Sequence, residues 1–171
     1  VPRILRDVSQ RDLGVELFGR RLPAPVLFAP VGAGSLAAPE ADALIGRAAA
    51  ELGVPYIFSN QASVSMENVA AAMDEVAAGA PRWFQLYWST DDDLADSLLE
   101  RAAAIRAEAV VVTLDTTMLG WRPQDLNLGS LPFARGEGIA QYTADRRFVD
   151  IVADRLRAAT DERPEISLGA I

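Results

Sequence analysis

One recurring pattern constrains the fold of this chain more than any other feature. A short β-branched or aromatic run is followed by small or polar residues, and then by apolar residues at helical spacing. The runs begin at Val26, Val54, Trp83 and Val110, about 28 residues apart, which is the size of one strand–helix unit. Because such units connect by right-handed crossovers, the pattern predicts a parallel sheet covered by helices. A doubly wound open sheet and half of an eight-stranded barrel both satisfy it.

Local signals mark the ends of the predicted helices. The first helix is expected to bury Leu44, Ile45, Ala48 and Leu52 and to stop at Gly53. Ser65 is placed to cap the second helix, and Thr90 with Asp93 has the spacing of a capping box for the third.

The stretch Val110–Arg122 concentrates polar chemistry behind an apolar strand. Val110, Val111 and Val112 form a β-branched run, which predicts a strand buried on both faces. Thr113 and Asp115 follow at its carboxyl end, where the functional groups of parallel α/β folds collect. A helix-capping role for these two side chains is the structural alternative.

The composition excludes several classes of function. The 171 residues contain neither histidine nor cysteine, so the chain itself offers no imidazole base, thiol nucleophile, or thiolate or imidazole metal site. A net charge of −8 argues against nucleic acid as the main partner. Without a transmembrane-length apolar run, a signal peptide or disulfides, we expect a cytoplasmic protein with no membrane partner.

The two flanks of the repeat are less regular. The N-terminal segment, residues 1–23, shows an alternation around Val15–Leu17 that suggests a short hairpin. Residues 116–171 are predicted to hold a long loop over 123–144, of the kind that is usually functional, and then a helix after Asp145. The tail from residue 160 does not resemble a fifth strand, and both ends are expected to be cut from something longer.

Five segments together resemble one family. They are PRILRDVS, LPAPVLFAPVG, WFQLYW, TLDTTMLGWR and LPFARGEGIAQY, in that order. They resemble the FMN-dependent α-hydroxy-acid oxidase and dehydrogenase family, and the last is most similar to its lactate 2-monooxygenase branch. The resemblance implies an α/β fold of the (β/α)8 TIM-barrel type. Residues 1–171 would form part of that domain, with about four βα units (a half barrel) over 24–115.

The resemblance also implies roles for individual residues. Six of them are implied to bind FMN: Pro30, Val31, Gly32, Ser59, Gln85 and Thr113. Tyr87 is implied to be catalytic and to contact the substrate, and Asp115 to orient the family's catalytic histidine. Arg122 is implied to face the substrate carboxylate, since a planar guanidinium suits carboxylate recognition.

Taken together, these features suggest the N-terminal portion of an enzyme that oxidises a small 2-hydroxy acid such as lactate. Since the chain has no histidine, we expect it to be inactive without a missing C-terminal half. The alternative is a non-catalytic or self-associating half-barrel remnant that binds FMN weakly. A third option is a flavodoxin-like sheet that binds another phosphorylated ligand.

Overall fold

A parallel sheet lies at the centre of the fold. In the computed structural model, which describes residues 4–5, 7, 9–115, 120–129 and 132–161, three strands lie side by side in chain order. They are β3 (Tyr56–Phe58), β4 (Arg82–Tyr87) and β5 (Val110–Thr113). Helix α1 (Ala41–Leu52) precedes β3, α2 (Met66–Val76) connects β3 to β4, and α3 (Asp92–Ala104) connects β4 to β5. The predicted parallel sheet with intervening helices is confirmed for these units.

The first predicted strand is much shorter than expected. Of the run Val26–Ala29, only Phe28 pairs, through an isolated parallel bridge to Tyr56. Its N–H donates to the Pro55 carbonyl at 2.9 Å, and its carbonyl accepts from the Ile57 N–H at 3.0 Å. Prolines at 25 and 30 flank the run and offer no N–H to a ladder, which limits the pairing. Phe28, β3, β4 and β5 nevertheless follow one another without a reversal of order.

The two flanks contain more regular structure than the sequence indicated. The N-terminal hairpin is confirmed as β1 (Val15–Leu17) and β2 (Arg20–Leu22), which pair antiparallel. The prediction that residues 123–144 form a long irregular loop is wrong, because this segment holds three short helical elements. These and the last helix are α4 (Pro123–Leu128), a 3-10 turn (Pro132–Arg135), α5 (Ala140–Thr143) and α6 (Arg146–Asp161). Such short helices carry too few residues to show an apolar period.

The core lies between the sheet and its helices. Phe84 and Leu86 of β4 are buried on the helix side, whereas Gln85 and Tyr87 alternate to the other face. Arg82 is also buried, and its guanidinium contacts Asp74 and donates to the Ala70 carbonyl at 3.2 Å. The remaining large buried core side chains include Tyr56, Phe58, Met66, Val69, Met73, Leu94 and Leu98.

The burial predicted for β5 is wrong. Val110 and Val112 are 44% and 43% exposed. They pair in register with Phe84 and Leu86 and therefore face the helix side of the sheet. Because β5 is the last strand of the described sheet, these valines lie at an edge where the helix layer leaves them partly uncovered.

The apolar face predicted for α1 is wrong except at Ile45, which is partly buried against the core. Leu44 and Leu52 are exposed, and the buried positions are Asp42, Ala43, Gly46, Ala49 and Ala50. A Cβ on Gly46 would lie 3.0 Å from Val69 Cγ1 and from Met73 Cγ. Small residues therefore allow α1 to pack closely against α2, which periodicity in large apolar residues does not reveal.

Two of the three predicted helix-end signals are confirmed. Gly53 ends α1 with φ +68°, and Ser65 Oγ accepts from the Asn68 N–H at 3.4 Å at the start of α2. The predicted capping box of α3 is wrong, since Asp91 rather than Thr90 caps that helix. Its Oδ1 accepts from the Leu94 N–H at 2.9 Å.

Candidate functional site

Gln85 and Thr113 meet near the carboxyl ends of two adjacent strands. The buried Gln85 side chain donates from Nε2 to Thr113 Oγ1 at 3.0 Å. Its Oε1 accepts from the main-chain N–H of Asn60, just after β3, at 3.1 Å. The carboxamide therefore has its oxygen toward Asn60 and its nitrogen toward Thr113. One side chain links the ends of three consecutive strands.

Ser59 lies beside this pair, directly after β3. Its buried Oγ accepts from the Gln61 N–H at 3.1 Å, a local bond typical of a turn. The Ser59 carbonyl accepts from the Ala62 N–H at 3.2 Å and from Gln141 Nε2 at 3.3 Å. None of these bonds uses the hydroxyl proton, so Ser59 can still donate to a ligand.

The residues expected to meet the substrate lie farther toward the surface. Tyr87 is half-buried and is paired in register with Thr113 across the sheet. Asp115 and Arg122 are both exposed. Residues 116–119 of the same motif lie outside the described part of the chain. The structure therefore brings Tyr87 to Thr113, and it leaves Asp115, two residues after β5, and Arg122 exposed.

The predicted residues Pro30, Val31 and Gly32 form the loop that leaves Phe28. Val31 is 51% exposed although it is apolar, and Gly32 is exposed as well. The loop is tied to the turn after β3, because the Ala33 N–H donates to the Gln61 carbonyl at 2.9 Å. A Cβ on Gly32 would lie 3.3 Å from Gln61 Cβ, so a side chain there would press on Gln61.

A second segment, residues 132–145, is fastened to the same strand ends. Gln141 is fully buried; its Oε1 accepts from the Met66 N–H at 3.0 Å, and its Nε2 donates to the Ser59 carbonyl. The Ala140 N–H donates to the Ala62 carbonyl at 3.1 Å. Sequence reasoning singled out this segment as a motif but assigned no role to Gln141, because the partners of its side chain are distant in sequence.

Tyr142 on the same short helix contacts Asn60, another residue that sequence reasoning missed. Asn60 Nδ2 donates to the Tyr142 hydroxyl, and Asn60 Oδ1 is buried without a partner among the residues the structure describes. Burial raises the pKa of Tyr142, and the nearby Tyr87 phenol acts in the same direction. Tyr142 therefore carries a protonated, neutral hydroxyl at physiological pH.

An ion-pair cluster anchors the far end of the 132–145 segment. Asp145 is buried and accepts from Ser97 Oγ at 2.8 Å and from Arg101 Nη1 at 3.1 Å. Arg101 also donates to the Gln141 carbonyl at 2.6 Å and to Glu67 Oε1 at 2.8 Å. Together these bonds join α2, α3 and the 132–145 segment.

Comparison with known proteins identifies the family. Residues 1–163 match the family model described as FMN-dependent dehydrogenase. The chain belongs to the FMN-dependent dehydrogenase family. The membership confirms the family that the sequence segments resemble and the predicted cofactor, FMN.

Curated relatives match over most of this chain but over a minor part of their own length. An L-lactate oxidase of Lysinibacillus sphaericus (strain C3-41) is 42% identical over 149 residues, 87% of this chain and 38% of the relative. A 4-hydroxymandelate oxidase of Amycolatopsis orientalis is 38% identical over 129 residues, 75% of this chain and 34% of the relative. The chain thus spans well under half the length of these FMN-dependent dehydrogenase family members.

Solved structures of the family share the same fold. A mandelate oxidase variant with a C4a-OH-FMN adduct superposes with a TM-score of 0.72 at 36% identity, covering 82% of this chain and 41% of the other. A mandelate oxidase with (S)-2-phenylpropionate gives a TM-score of 0.72 at 37% identity, covering 82% and 40%.

The described residues contain neither a membrane-spanning helix nor a metal-binding cluster of side chains. No helix in this part of the chain is long and apolar enough to cross a bilayer. Within the same residues, no group of three or more acidic, histidine or cysteine side chains is arranged to hold a metal ion.

Proposed function

We propose that this chain supplies the N-terminal half of the flavin and substrate site of an FMN-dependent 2-hydroxy-acid oxidoreductase of the lactate 2-monooxygenase type. The observation that carries the proposal is the buried Gln85 carboxamide, which donates to Thr113 at 3.0 Å at adjacent strand ends. In parallel α/β folds this end of the sheet is where ligands bind.

The groups at the strand ends fit FMN chemically. The pyrimidine edge of an isoalloxazine offers both donors and acceptors. Gln85 keeps a second Nε2 hydrogen and a second Oε1 lone pair, and Thr113 keeps its hydroxyl proton. Ser59 adds a third donor, and the exposed Val31 offers an apolar surface that a flat ring can cover. Pro30, Val31, Gly32, Ser59, Gln85 and Thr113 would hold the cofactor.

The order of the strands supports a half barrel rather than a doubly wound sheet. Phe28, β3, β4 and β5 add in one direction, all parallel. A doubly wound sheet reverses its strand order at the site of ligand binding, and no such reversal occurs within the described strands. We therefore assign residues 24–115 to about four βα units of a TIM-type barrel.

The substrate proposed is a small 2-hydroxy acid such as lactate. The Arg122 guanidinium would bind its carboxylate, and Tyr87, beside Thr113, would contact the reacting carbon. Oxidation of the α-carbon requires a two-electron acceptor, which is the chemistry FMN supplies when bound. Asp115 would orient an imidazole base, and since these 171 residues contain no histidine, the chain by itself should not turn over substrate.

Two measurements test this proposal. Titration with FMN, followed by quenching of flavin fluorescence, should show binding that Gln85→Leu weakens and that Gln10→Leu, on the exposed N-terminal segment, leaves unchanged. Lactate-dependent flavin reduction should occur only when a C-terminal half of the family is supplied in trans. Equal FMN affinity of Gln85→Leu and the native chain would contradict the site, and turnover by the chain alone would contradict the role assigned to the missing base.

A second candidate function is a self-associating, non-catalytic half barrel. The edge strand favours it: Val110 and Val112 are partly exposed, and Leu114 just beyond is 83% exposed. Val26 and Leu27, beside the opposite edge at Phe28, are exposed as well. In a dimer, each copy could cover the sheet edges of the other. A C-terminal half of the barrel could cover the same two edges. Sedimentation velocity distinguishes the cases, since a compact monomer at high concentration would exclude self-association.

A further inference from the structure

The Tyr142 side chain of the 132–145 segment is linked to the proposed flavin residues through Asn60. The Tyr142 hydroxyl accepts from Asn60 Nδ2, and the main-chain N–H of Asn60 holds Gln85 Oε1 at 3.1 Å. We propose that Tyr142 is a positioning residue for the Gln85–Thr113 pair. By holding Asn60, it fixes which end of the Gln85 carboxamide faces Thr113. This inference rests on the proposed function, which it extends to a residue outside the strand ends.

Asn60 depends on Tyr142 for its side-chain bonding. It is fully buried, and its Oδ1 has no partner within the described residues. The bond to Tyr142 is thus the one hydrogen bond of the Asn60 side chain in the part of the chain that the structure describes. A buried carboxamide without any partner is unfavourable, so removal of the hydroxyl would make Asn60 turn or shift.

Such a shift would be transmitted directly to Gln85. The N–H that fixes Gln85 Oε1 belongs to Asn60 itself, so movement of Asn60 loosens the bond at that oxygen. The Gln85 Nε2 would then be free to leave Thr113 Oγ1, and the carboxamide could rotate. A rotated Gln85 would present its donor and acceptor in the wrong order to the cofactor.

The ring of Tyr142 is anchored independently of its hydroxyl. It packs against Phe148 with the ring centroids 5.3 Å apart, and the neighbouring Gln141 holds α5 to the sheet by its own bonds. Tyr142→Phe should therefore remove the hydroxyl without releasing the segment. Thr143→Val is a matched control, because within the described residues Thr143 Oγ1 donates only inside its own turn, to the Ile139 carbonyl at 3.2 Å and the Ala140 carbonyl at 3.5 Å.

The test combines a measurement without cofactor and one with it. In NMR spectra of the 15N-labelled 171-residue chain without FMN, we expect the chemical shifts of the Asn60 and Gln85 side-chain NH2 groups to change in Tyr142→Phe. The same shifts should be unchanged in Thr143→Val. In the fluorescence titration, the Kd for FMN should rise about three- to tenfold in Tyr142→Phe, the loss expected from one hydrogen bond. Asn60→Ala combined with Tyr142→Phe should bind no more weakly than Asn60→Ala alone.

The outcomes separate this inference from the function on which it rests. Unchanged Gln85 side-chain signals in Tyr142→Phe would overturn the positioning role. If the native chain binds FMN, an equal FMN affinity of Tyr142→Phe would overturn it as well. If the native chain binds no FMN, the proposed flavin site fails, and the Gln85 side-chain signals alone then decide whether Tyr142 positions that residue.

Discussion

Replacing Gln141 by Met tests how the 132–145 segment is held to the strand ends. Met has nearly the volume of Gln but makes no comparable hydrogen bonds, so the substitution removes polar contacts without opening a cavity. Gln141 is fully buried, and its Oε1 accepts from the Met66 N–H at 3.0 Å. Met66 is the first residue of α2, so its N–H has no partner within the helix.

The expected loss of stability depends on which buried polar groups would be left without a hydrogen-bond partner. The Ser59 carbonyl would lose Gln141 Nε2 but keep the Ala62 N–H at 3.2 Å, so its loss is small. The buried Met66 N–H would lose its acceptor, and a buried unsatisfied donor costs roughly 1–3 kcal/mol. We expect Gln141→Met to lower the free energy of unfolding by about 2 kcal/mol, and the melting temperature by about 4–8 °C for a chain of this size.

Urea unfolding followed by circular dichroism at pH 7 measures this change. Thr143→Val is the control on the same helix, and it should stay within about 0.5 kcal/mol of the native chain because its hydroxyl is exposed. A loss below about 0.5 kcal/mol in Gln141→Met would refute the reasoning, since the Met66 N–H would then have another acceptor.

Three further predictions follow from other contacts. Arg82 holds the pKa of Asp74 below its ordinary value, so the stability that this carboxylate contributes is full above about pH 4 and is lost as the pH falls through the lowered pKa. Asp74→Ala should cost about 3 kcal/mol in urea unfolding at pH 7 and flatten this pH dependence. Gly138→Ala should speed proteolysis within 132–145, because Gly138 has φ +70° and a Cβ there would lie 2.7 Å from the Gln61 carbonyl oxygen. Val112→Lys should lower any self-association seen in sedimentation velocity, because it places a charge on the exposed edge strand.

Each of these predictions has a matched control. Glu51→Ala removes an exposed carboxylate of α1 and should change neither stability nor its pH dependence. Gly79→Ala carries the same backbone strain, at φ +71°, but nothing lies within 4 Å of the added Cβ, so it should not affect the 132–145 segment. Val76→Lys charges an exposed position on α2 away from the sheet edge. Equal effects of a substitution and its control would contradict the corresponding contact.

The repeat in the sequence was enough to predict the parallel sheet and the strand ends where the candidate site lies. Gln85 and Thr113 could be singled out because each is a polar residue at the end of an apolar strand, and parallel strands bring such ends together. The sequence overestimated the strand at Val26–Ala29 and the burial of Val110 and Val112, because neighbouring strands and covering helices, not local composition, decide pairing and burial.

Local sequence determined the succession of strands and helices along the chain, two helix ends and the polar groups at the strand termini, because each depends on residues close in the chain. Tertiary structure alone decided that Asn60 meets Tyr142 and that Gln141 reaches Ser59, contacts that each span 82 positions. It also decided that Asp42 lies buried beneath the turn after β3 and accepts from the Ser63 N–H at 2.9 Å. Such contacts depend on how separate elements pack, which no local pattern of residues encodes.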